Sequence, residues 1–334
     1  MKKNFLPLVF VTAFSLTACG GKSYNPSDYI VGTLPYRDGF KILQLTDIHM
    51  SDKDDQDLHY AFMDKLIREA KEDPDHTGQV DFMVVTGDLF TFASRDTAKR
   101  LFKFLDSYDI PWTVVFGNHD EQTYFPVDWM TSYLNKFGSN CMFKDLQDDK
   151  VQGNCNFAIN ITDGVSIKKQ LIMMDSNRYY FGSYMGYDYF KQDQIDWYSS
   201  LVDYTTEQNG GTKVDSLMFY HIPLFEINVA YETGTRVFDG RNGNDGKREN
   251  CCPPDENSGF FDVIKAKGST KGMFFGHDHI NTFEVDYQGV KFSYGVKSTD
   301  RIYYDEDLLG YQTISLDGDD ITVRRYWHTY AEVK

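Results

Sequence analysis

The strongest constraint on the fold is a repeated pattern in which an apolar, strand-like segment runs directly into a polar motif. Residues 40–45 precede Asp47 and His49, residues 80–86 precede Asp88, and residues 111–116 precede Asn118 and His119. Apolar segments of about four to eight residues, rich in β-branched and aromatic side chains, indicate buried strands. Ligands of open α/β sheets bind beyond the carboxyl ends of the strands. The pattern therefore predicts one shared site at a sheet edge.

The chain between these units predicts helices, because apolar residues recur at helical intervals over 57–72 and 96–108. A β-α-β-α-β order predicts a parallel sheet with right-handed crossovers. Residues 233–257 are rich in Gly, Asn and charged residues and predict a long surface loop. Further helices are predicted over 127–137 and 190–204, and further strands over 156–161, 170–174, 216–220, 271–275, 291–294, 312–316 and 321–326, the last three in a closing antiparallel layer.

The overall charge of the chain is strongly acidic. Its 334 residues carry a formal net charge of -16, which disfavours broad binding to nucleic acid. The composition, 41% hydrophobic and 25% charged, is that of a globular protein with an ample core. An acidic chain that handles phosphate needs local positive charge, and metal ions supply it.

The amino-terminal segment has the features of a targeting signal. Lys2 and Lys3 are basic, residues 5–16 are apolar, and a small-residue cleavage site stands before Cys19. The stretch resembles the signal of bacterial lipoproteins, so Cys19 is predicted to carry lipid; an ordinary secretory signal is the alternative. The predicted division is a signal peptide over 1–18, a tether over 19–36 and a catalytic domain over 37–334.

Lipidation at Cys19 predicts a protein held at the membrane of a bacterial cell envelope, facing the periplasm or the exterior. The apolar part of the signal is too short to span a bilayer. Loss of Lys2 and Lys3 with the signal leaves 32 basic and 50 acidic residues, a mature charge of 32 − 50 = -18.

Four cysteines remain in the predicted catalytic domain: Cys141, Cys155, Cys251 and Cys252. In an oxidising compartment they can pair in three ways. A disulfide between Cys141 and Cys155 would close the loop of chain that joins these two residues. The adjacent Cys251 and Cys252 would form a strained vicinal disulfide or stay reduced in a loop. Zinc binding by these cysteines is disfavoured, because no second spaced pair accompanies them.

Five strand-end motifs together contain five of the eight histidines. A lone histidine is more often structural than functional, but five strand-terminal sites with oxygen and imidazole donors indicate a metal centre. Mixed carboxylate, carboxamide and imidazole donors suit Zn, Mn, Fe or Ni better than Ca. The motifs are Asp47-Ile48-His49, Gly87-Asp88, Gly117-Asn118-His119-Asp120, His221 and Gly276-His277-Asp278-His279.

With these motifs the chain resembles the calcineurin-like metallophosphoesterase superfamily over nearly all of its predicted mature length. The resemblance implies an α/β fold, a sandwich of two mixed β-sheets flanked by helices, with two divalent transition metals (Mn, Zn or Fe) at the sheet edge. It implies a hydroxide bridging the metals as the nucleophile. The implied ligands are Asp47, His49 and His279 for the first metal, Asp88 as the bridging carboxylate, and Asn118, His221 and His277 for the second.

The resemblance also implies that His119 is not a ligand but faces the substrate as a general acid. Asp120 is expected to fix the orientation of its ring. Within the superfamily, the branch nearest the purple acid phosphatases has segments that resemble residues 221–224 and 257–261 of this chain. Those enzymes carry a ligand tyrosine where this chain has Thr91 and lack a histidine at the place of His49, so a site without tyrosinate is expected.

Substrate contacts are predicted for Arg178, at a strand end, and for Arg236 and Arg241 in the loop over 233–257, which also holds Lys247 and Arg248. A solvated loop is the alternative for the basic patch. The expected function is hydrolysis of phosphomonoesters of a phosphorylated small molecule outside the cytoplasm. The alternatives are a phosphodiesterase acting on nucleotides or lipid headgroups, and a binding protein that keeps the fold without catalysis.

Overall fold

The computed structural model describes residues 24–72, 78–138, 140–181 and 185–334. The predicted signal peptide and the lipidation site at Cys19 lie outside the described residues. In the described part of the chain, no helix is both long enough and apolar enough to cross a membrane.

Strands and helices alternate through most of the chain, as its sequence predicts. The described strands are β1 (Ile30–Pro35), β2 (Phe40–Leu45), β3 (Val80–Thr86), β4 (Trp112–Val115), β5 (Phe157–Thr162), β6 (Ile167–Met173), β7 (Tyr179–Phe181), β8 (Met185–Tyr187), β9 (Asp215–Phe219), β10 (Thr235–Phe238), β11 (Thr270–Phe275), β12 (Glu284–Tyr287), β13 (Val290–Tyr294), β14 (Leu309–Asp317) and β15 (Asp320–His328). The α-helices are α1 (Gln56–Glu72), α2 (Arg95–Asp106), α3 (Val127–Leu134), α4 (Gln192–Gln208), α5 (Ile227–Thr233) and α6 (Phe260–Lys267).

Within the described residues these strands form two large mixed sheets and one small hairpin. The first sheet has the order β1-β5-β6-β9-β11-β13-β12-β10, the second has the order β15-β14-β2-β3-β4, and β7 pairs with β8. In the second sheet β2, β3 and β4 are parallel. In the first sheet β6, β9, β11 and β13 are parallel. The predicted sandwich of two mixed sheets flanked by helices is therefore confirmed.

Alternating side chains of the first sheet enter two different apolar layers. On β9, Leu217 and Phe219 pack into the cluster that includes the second sheet, whereas Met218 packs into the cluster under α4 and α6. This is the two-residue period of a strand with both faces covered. Neighbouring parallel strands end at the same edge of their sheet, so the polar segments that follow these strands lie beside one another.

The described chain corrects four expectations about local structure. The tether predicted over 19–36 is too long, because β1 pairs in parallel with β5 and its Leu34 is buried in the core. The loop predicted over 233–257 contains β10, which pairs with β12 at the sheet edge. The strands predicted over 291–294, 312–316 and 321–326 do not form one closing layer, because β13 lies in the first sheet whereas β14 and β15 lie in the second. Helices α5 and α6 and the β7–β8 hairpin were not expected from sequence, because their short segments carry too few apolar repeats for a clear period.

The four cysteines of the described residues are free thiols, so the possible disulfides are not formed in this structure. Cys155 is fully buried, and its sulfur accepts a hydrogen bond from the backbone N–H of Phe116 at 3.3 Å. Cys141 contacts the carbonyl of Leu134 instead. Burial raises the pKa of the Cys141 thiol to about 12 and that of the Cys251 thiol to about 11.

Candidate metal centre

The predicted metal-binding residues come together where the parallel strands of both sheets end. Three of the contributing strands belong to the second sheet and two to the first, so the site bridges the two sheets. All seven predicted ligands are buried. They are Asp47 and His49 after β2, Asp88 after β3, Asn118 after β4, His221 after β9, and His277 and His279 after β11.

One compact group of donors is formed by Asp47, His49, Asp88 and His279. Each offers one ligand atom, and these atoms lie within 4.8 Å of one another. The Nε2 atoms of His49 and His279 are 3.0 Å apart. Asp47 Oδ1 lies 3.4 Å from His279 Nε2, and Asp88 Oδ2 lies 3.5 Å from His49 Nε2. This is the donor set that suits a transition metal.

Neighbouring groups orient the imidazole rings of this site. His279 Nδ1 donates to the carbonyl of Tyr303 at 2.8 Å, and His221 Nδ1 donates to the carbonyl of Thr86 at 2.8 Å. These contacts place the proton on Nδ1 and leave the lone pair on Nε2, the nitrogen that faces the site. His49 Nδ1 contacts the hydroxyl of Thr91 at 2.9 Å. The rings are therefore held in the tautomers that metal ligands need.

A second group of donors surrounds Asp88 on its other side. Asp88 Oδ2 lies 3.1 Å from His221 Nε2, so this carboxylate stands between the two groups. Three buried atoms here, Asn118 Oδ1, His221 Nε2 and His277 Nε2, have no hydrogen-bond partner among the described residues. Asn118 Nδ2 donates to the hydroxyl of Tyr179 at 3.0 Å, which turns the amide oxygen away from that contact.

Buried polar atoms without partners are costly, at about 1–3 kcal/mol each, so three in one place require an explanation. A cation that accepts the lone pairs of Asn118, His221 and His277 provides it. The charges of the neighbouring carboxylates point the same way. Burial opposes the charged imidazolium of His221, yet Asp88 and Asp47 raise its pKa to about 9, so without metal this ring holds a proton that a bound cation would displace. Burial and the charge of His221 lower the pKa of His277 to about 3. The residues therefore fit a second metal ion.

Several of these donors have strained backbone conformations. The backbone angle φ is 54° at Asp47, 50° at His49, 50° at Asp88 and 81° at His277. Residues other than glycine rarely adopt positive values of φ. Backbone hydrogen bonds hold the strain: Asp47 N donates to Gly87 O at 3.2 Å, and His49 N donates to Asp88 O at 2.8 Å. Strain of this kind collects at functional sites, where the surrounding structure fixes it.

His119 lies beside the donors and is more exposed than they are. Its ring meets that of His49 edge-on, with centroids 5.0 Å apart. The prediction that Asp120 orients this ring is wrong, because His119 Nδ1 donates to Gln122 Oε1 at 2.7 Å. Asp120 instead accepts backbone N–H groups, from Gly117 at 2.8 Å and from Phe90 at 3.0 Å. It therefore closes the turn that carries Asn118 and His119.

The structure pairs the predicted substrate-binding arginines with groups of the protein itself. The guanidinium of Arg178 forms an ion pair with Glu121, close to His119 in the chain. Arg236 pairs with Asp239 at 3.0 Å and lies over the ring of Tyr231. These ion pairs neutralise much of the positive charge that would otherwise attract a substrate phosphate.

The other basic residues of the 233–257 segment are also engaged. Arg241 donates to the carbonyl of Asp307 at 2.9 Å. Arg248 forms ion pairs with Asp245 and Asp305. The described contacts thus disfavour a basic cap that binds the anion, although the segment is more structured than the solvated loop given as the alternative.

Two further groups at the site were missed by the sequence reasoning. Lys297 is buried and donates to the carbonyl of Asp47 at 2.8 Å, and burial lowers its pKa to about 8. The ring of Tyr303 stacks on His279 with centroids 4.1 Å apart. The sequence signal for Lys297 is its place just after β13, which runs parallel to β11 and ends at the same edge.

Asp278, between two predicted ligands, acts as a supporting residue. It is 3% exposed, and its Oδ2 accepts from the hydroxyl of Tyr294 and from the backbone N–H of Cys252 at 3.2 Å. Burial raises the pKa of this carboxyl to about 7. Asp278 is therefore a buried residue that anchors the segment carrying His277 and His279.

A two-sheet α/β sandwich with buried carboxylate, amide and imidazole donors at strand ends defines a class of metal-dependent phosphoesterases. The chain belongs to the calcineurin-like phosphoesterase family, whose profile matches residues 40–281. This confirms the resemblance of its motifs.

Two similar relatives are from Arabidopsis thaliana. The "Probable inactive purple acid phosphatase 29" is 28% identical over 291 residues, which cover 77% of this chain and 71% of that protein. The "Probable inactive purple acid phosphatase 14" is 26% identical over 76% of this chain and 69% of that protein. Among solved structures, a dimetal phosphatase from Danio rerio superposes with a TM-score of 0.55 at 14% identity, covering 88% of this chain and all of the other. That last likeness concerns the fold.

Gly117 packs tightly against the donors. A Cβ at this position would lie 2.3 Å from Asp88 Oδ1 and 2.7 Å from His221 Cδ2. We expect Gly117→Ala to displace both side chains and to weaken metal binding about tenfold or more, as displaced supporting groups commonly do. Metal affinity measured by titration calorimetry checks this. Gly32→Ala is the control, because its nearest atom would be Met142 Cε at 3.4 Å. Unchanged metal affinity in Gly117→Ala would contradict the close packing described.

Proposed function

We propose that this protein hydrolyses phosphomonoesters with two divalent transition metals, Mn, Zn or Fe, held at the sheet edge. The observation that carries the proposal is the pair of donor groups that share Asp88, one compact and one with three unpartnered buried atoms. Asp47, His49 and His279 would hold the first metal, and Asn118, His221 and His277 the second. Membership of the calcineurin-like phosphoesterase family supports a hydrolase.

Bound metals would supply an acidified water molecule and positive charge for the phosphoryl oxygens. The chain's own residues provide the remaining chemistry. Because His119 Nδ1 donates to Gln122, Nε2 is the nitrogen that would deliver a proton to the leaving alcohol. Gln122 positions the ring for this step. Asp88 also accepts the backbone N–H of His119 at 2.8 Å, which ties the proton donor to the carboxylate shared by the two groups of donors.

The second candidate is a protein that binds phosphate compounds without catalysis. The observation that favours it is the word "inactive" in the names of several plant relatives. A full set of donors in this chain favours catalysis instead. Hydrolysis of phosphodiesters remains the nearest alternative activity, since the same donors serve both reactions.

The first prediction from this proposal concerns metal content. Full-length or mature protein reconstituted with Mn or Zn is expected to bind about two equivalents per chain, as a dinuclear hydrolase requires. Asp88→Asn should lower metal content and activity together, because this carboxylate lies between both groups of donors. Elemental analysis with parallel assays measures both. Fewer than one equivalent at saturating metal would disprove the dinuclear site.

The second prediction separates His119 from the ligands. We expect His119→Ala to keep both metals and lose about 10²–10⁴-fold in turnover of alkyl phosphates, the usual contribution of a general acid. The loss should be smaller for nitrophenyl phosphate, whose leaving group needs little protonation. Steady-state kinetics with metal analysis provides the test, and Asp88→Asn is the contrasting variant. Loss of metal from His119→Ala, or full activity on alkyl phosphates, would exclude the proton-donor role.

The proposed site of action is the bacterial cell envelope, with the protein anchored through lipid on Cys19 and facing the periplasm or exterior. Support comes from the amino-terminal sequence, where Lys2 and Lys3, an apolar segment and a small-residue cleavage site precede Cys19. Mass spectrometry of the mature amino terminus is expected to find an acylated Cys19. Cys19→Ser should release the protein from membranes, while Cys252→Ser serves as the control. An unmodified amino terminus at a residue other than Cys19 would indicate secretion without a lipid anchor.

A further inference from the structure

A groove opens beside the second group of donors and is used by no step described above. It is open to solvent, lies between the β7–β8 hairpin, the start of α5 and the segment 251–255, and has a volume of about 490 Å³. We call it the aromatic groove; the lining residues that matter here are Tyr187, Phe225, Val229, Cys252, Pro253 and Pro254. Its volume is that of a site for a small organic molecule.

One wall of the aromatic groove contacts a metal-binding residue. The ring of Tyr187 meets the ring of His277 edge-on, with centroids 4.3 Å apart. The backbone N–H of Cys252, another lining residue, donates to Asp278, the neighbour of His277 in the chain. The groove therefore lies one side chain away from the second group of donors, beside the place that the alcohol end of a bound phosphate ester would occupy.

The walls of the aromatic groove favour a flat, uncharged group. Phe225 is 39% exposed and Val229 is 45% exposed, so apolar surface faces solvent here. Tyr179 stacks on Tyr187 with centroids 5.6 Å apart and an interplanar angle of 28°, which extends an aromatic wall from the groove to Asn118. Aromatic walls bind further rings by stacking and edge contacts.

The charge of the groove excludes a second anionic group. Among the described residues that line it, Asp255 is charged and neither Lys nor Arg is present. A sugar bisphosphate or a nucleoside diphosphate would place a second phosphate against apolar surface and a carboxylate, without compensation. An aryl alcohol meets no such penalty.

We propose that the aromatic groove binds the alcohol portion of the substrate, and that this portion is an uncharged aromatic group. The proposal deepens the proposed function and rests on it for the phosphoryl end of the substrate. Tyr187 and Val229 then select the substrate, while the donors at the strand ends bind its phosphoryl group.

The test compares two phosphonates, which are not hydrolysed and differ in the group on phosphorus. Binding of phenylphosphonate and methylphosphonate to the Mn-loaded full chain is measured by titration calorimetry. Phenylphosphonate is expected to bind about tenfold or more tightly, because its ring buries apolar surface in the groove. The ratio of the two affinities isolates the groove, since both ligands present the same phosphoryl oxygens to the metals.

Val229→Glu places a carboxylate in the groove and should bring the affinity ratio close to one. Val165→Glu is the matched control, because Val165 is 94% exposed in the turn between β5 and β6 and does not line the groove. This control should keep the ratio of the unaltered protein. Phe225→Ala should lower the ratio severalfold by removing one wall.

Equal affinities for the two phosphonates, no binding of either, or an unchanged ratio in Val229→Glu would overturn the groove proposal. Failure of the proposed function gives a different result. Protein that prefers phenylphosphonate but hydrolyses neither phenyl phosphate nor methyl phosphate would support the groove and refute the hydrolase. Protein that hydrolyses both esters but binds the two phosphonates equally would refute the groove alone.

Discussion

The whole architecture depends on keeping carboxylates and imidazoles buried within a few ångströms of one another. Asp47 and Asp88 are each 1% exposed, and the histidines around them are almost as deeply buried. Removing such groups from water is costly unless opposite charge or hydrogen bonds replace the solvent. Burial accordingly acts to raise the pKa of Asp88, but His221 and His49 hold it well below its ordinary value. Metal cations would compensate the negative charge of these carboxylates more fully than protons on the histidines do.

A ring of supporting contacts prevents the donors from relaxing into better hydrogen-bond partners. Thr46 donates to Asp47 Oδ2 at 2.8 Å, and Lys297 holds the carbonyl of the same residue. The left-handed backbone at Asp47 and Asp88 is held by hydrogen bonds between the segments after β2 and β3, from Asp47 N to Gly87 O and from His49 N to Asp88 O. Such contacts orient ligands and set their basicity, so the site is ready for metal before metal arrives.

Thr91 and His49 form a coupled pair that separates this chain from the purple enzymes its motifs resemble. Those enzymes place a ligand tyrosine where this chain has Thr91 and have no histidine at the place of His49. The Thr91 hydroxyl contacts His49 Nδ1 at 2.9 Å, so a short side chain at one position leaves room for an oriented imidazole at the other. This chain therefore offers an oriented imidazole nitrogen at His49 and no phenolate at Thr91.

The sequence by itself determined most of the central strands, the main helices and the strand-end motifs, because apolar periodicity and hard donors are local properties. It indicated the fold and all of the residues proposed as ligands. Only the tertiary structure decided that Gln122, rather than Asp120, orients His119, since both side chains lie within three residues of that ring. It also decided that Arg178 is paired with Glu121 and that Tyr179 and Tyr187 stand beside the donors. These contacts join segments far apart in the chain, and their direction is set by how the two sheets pack, which no local pattern records.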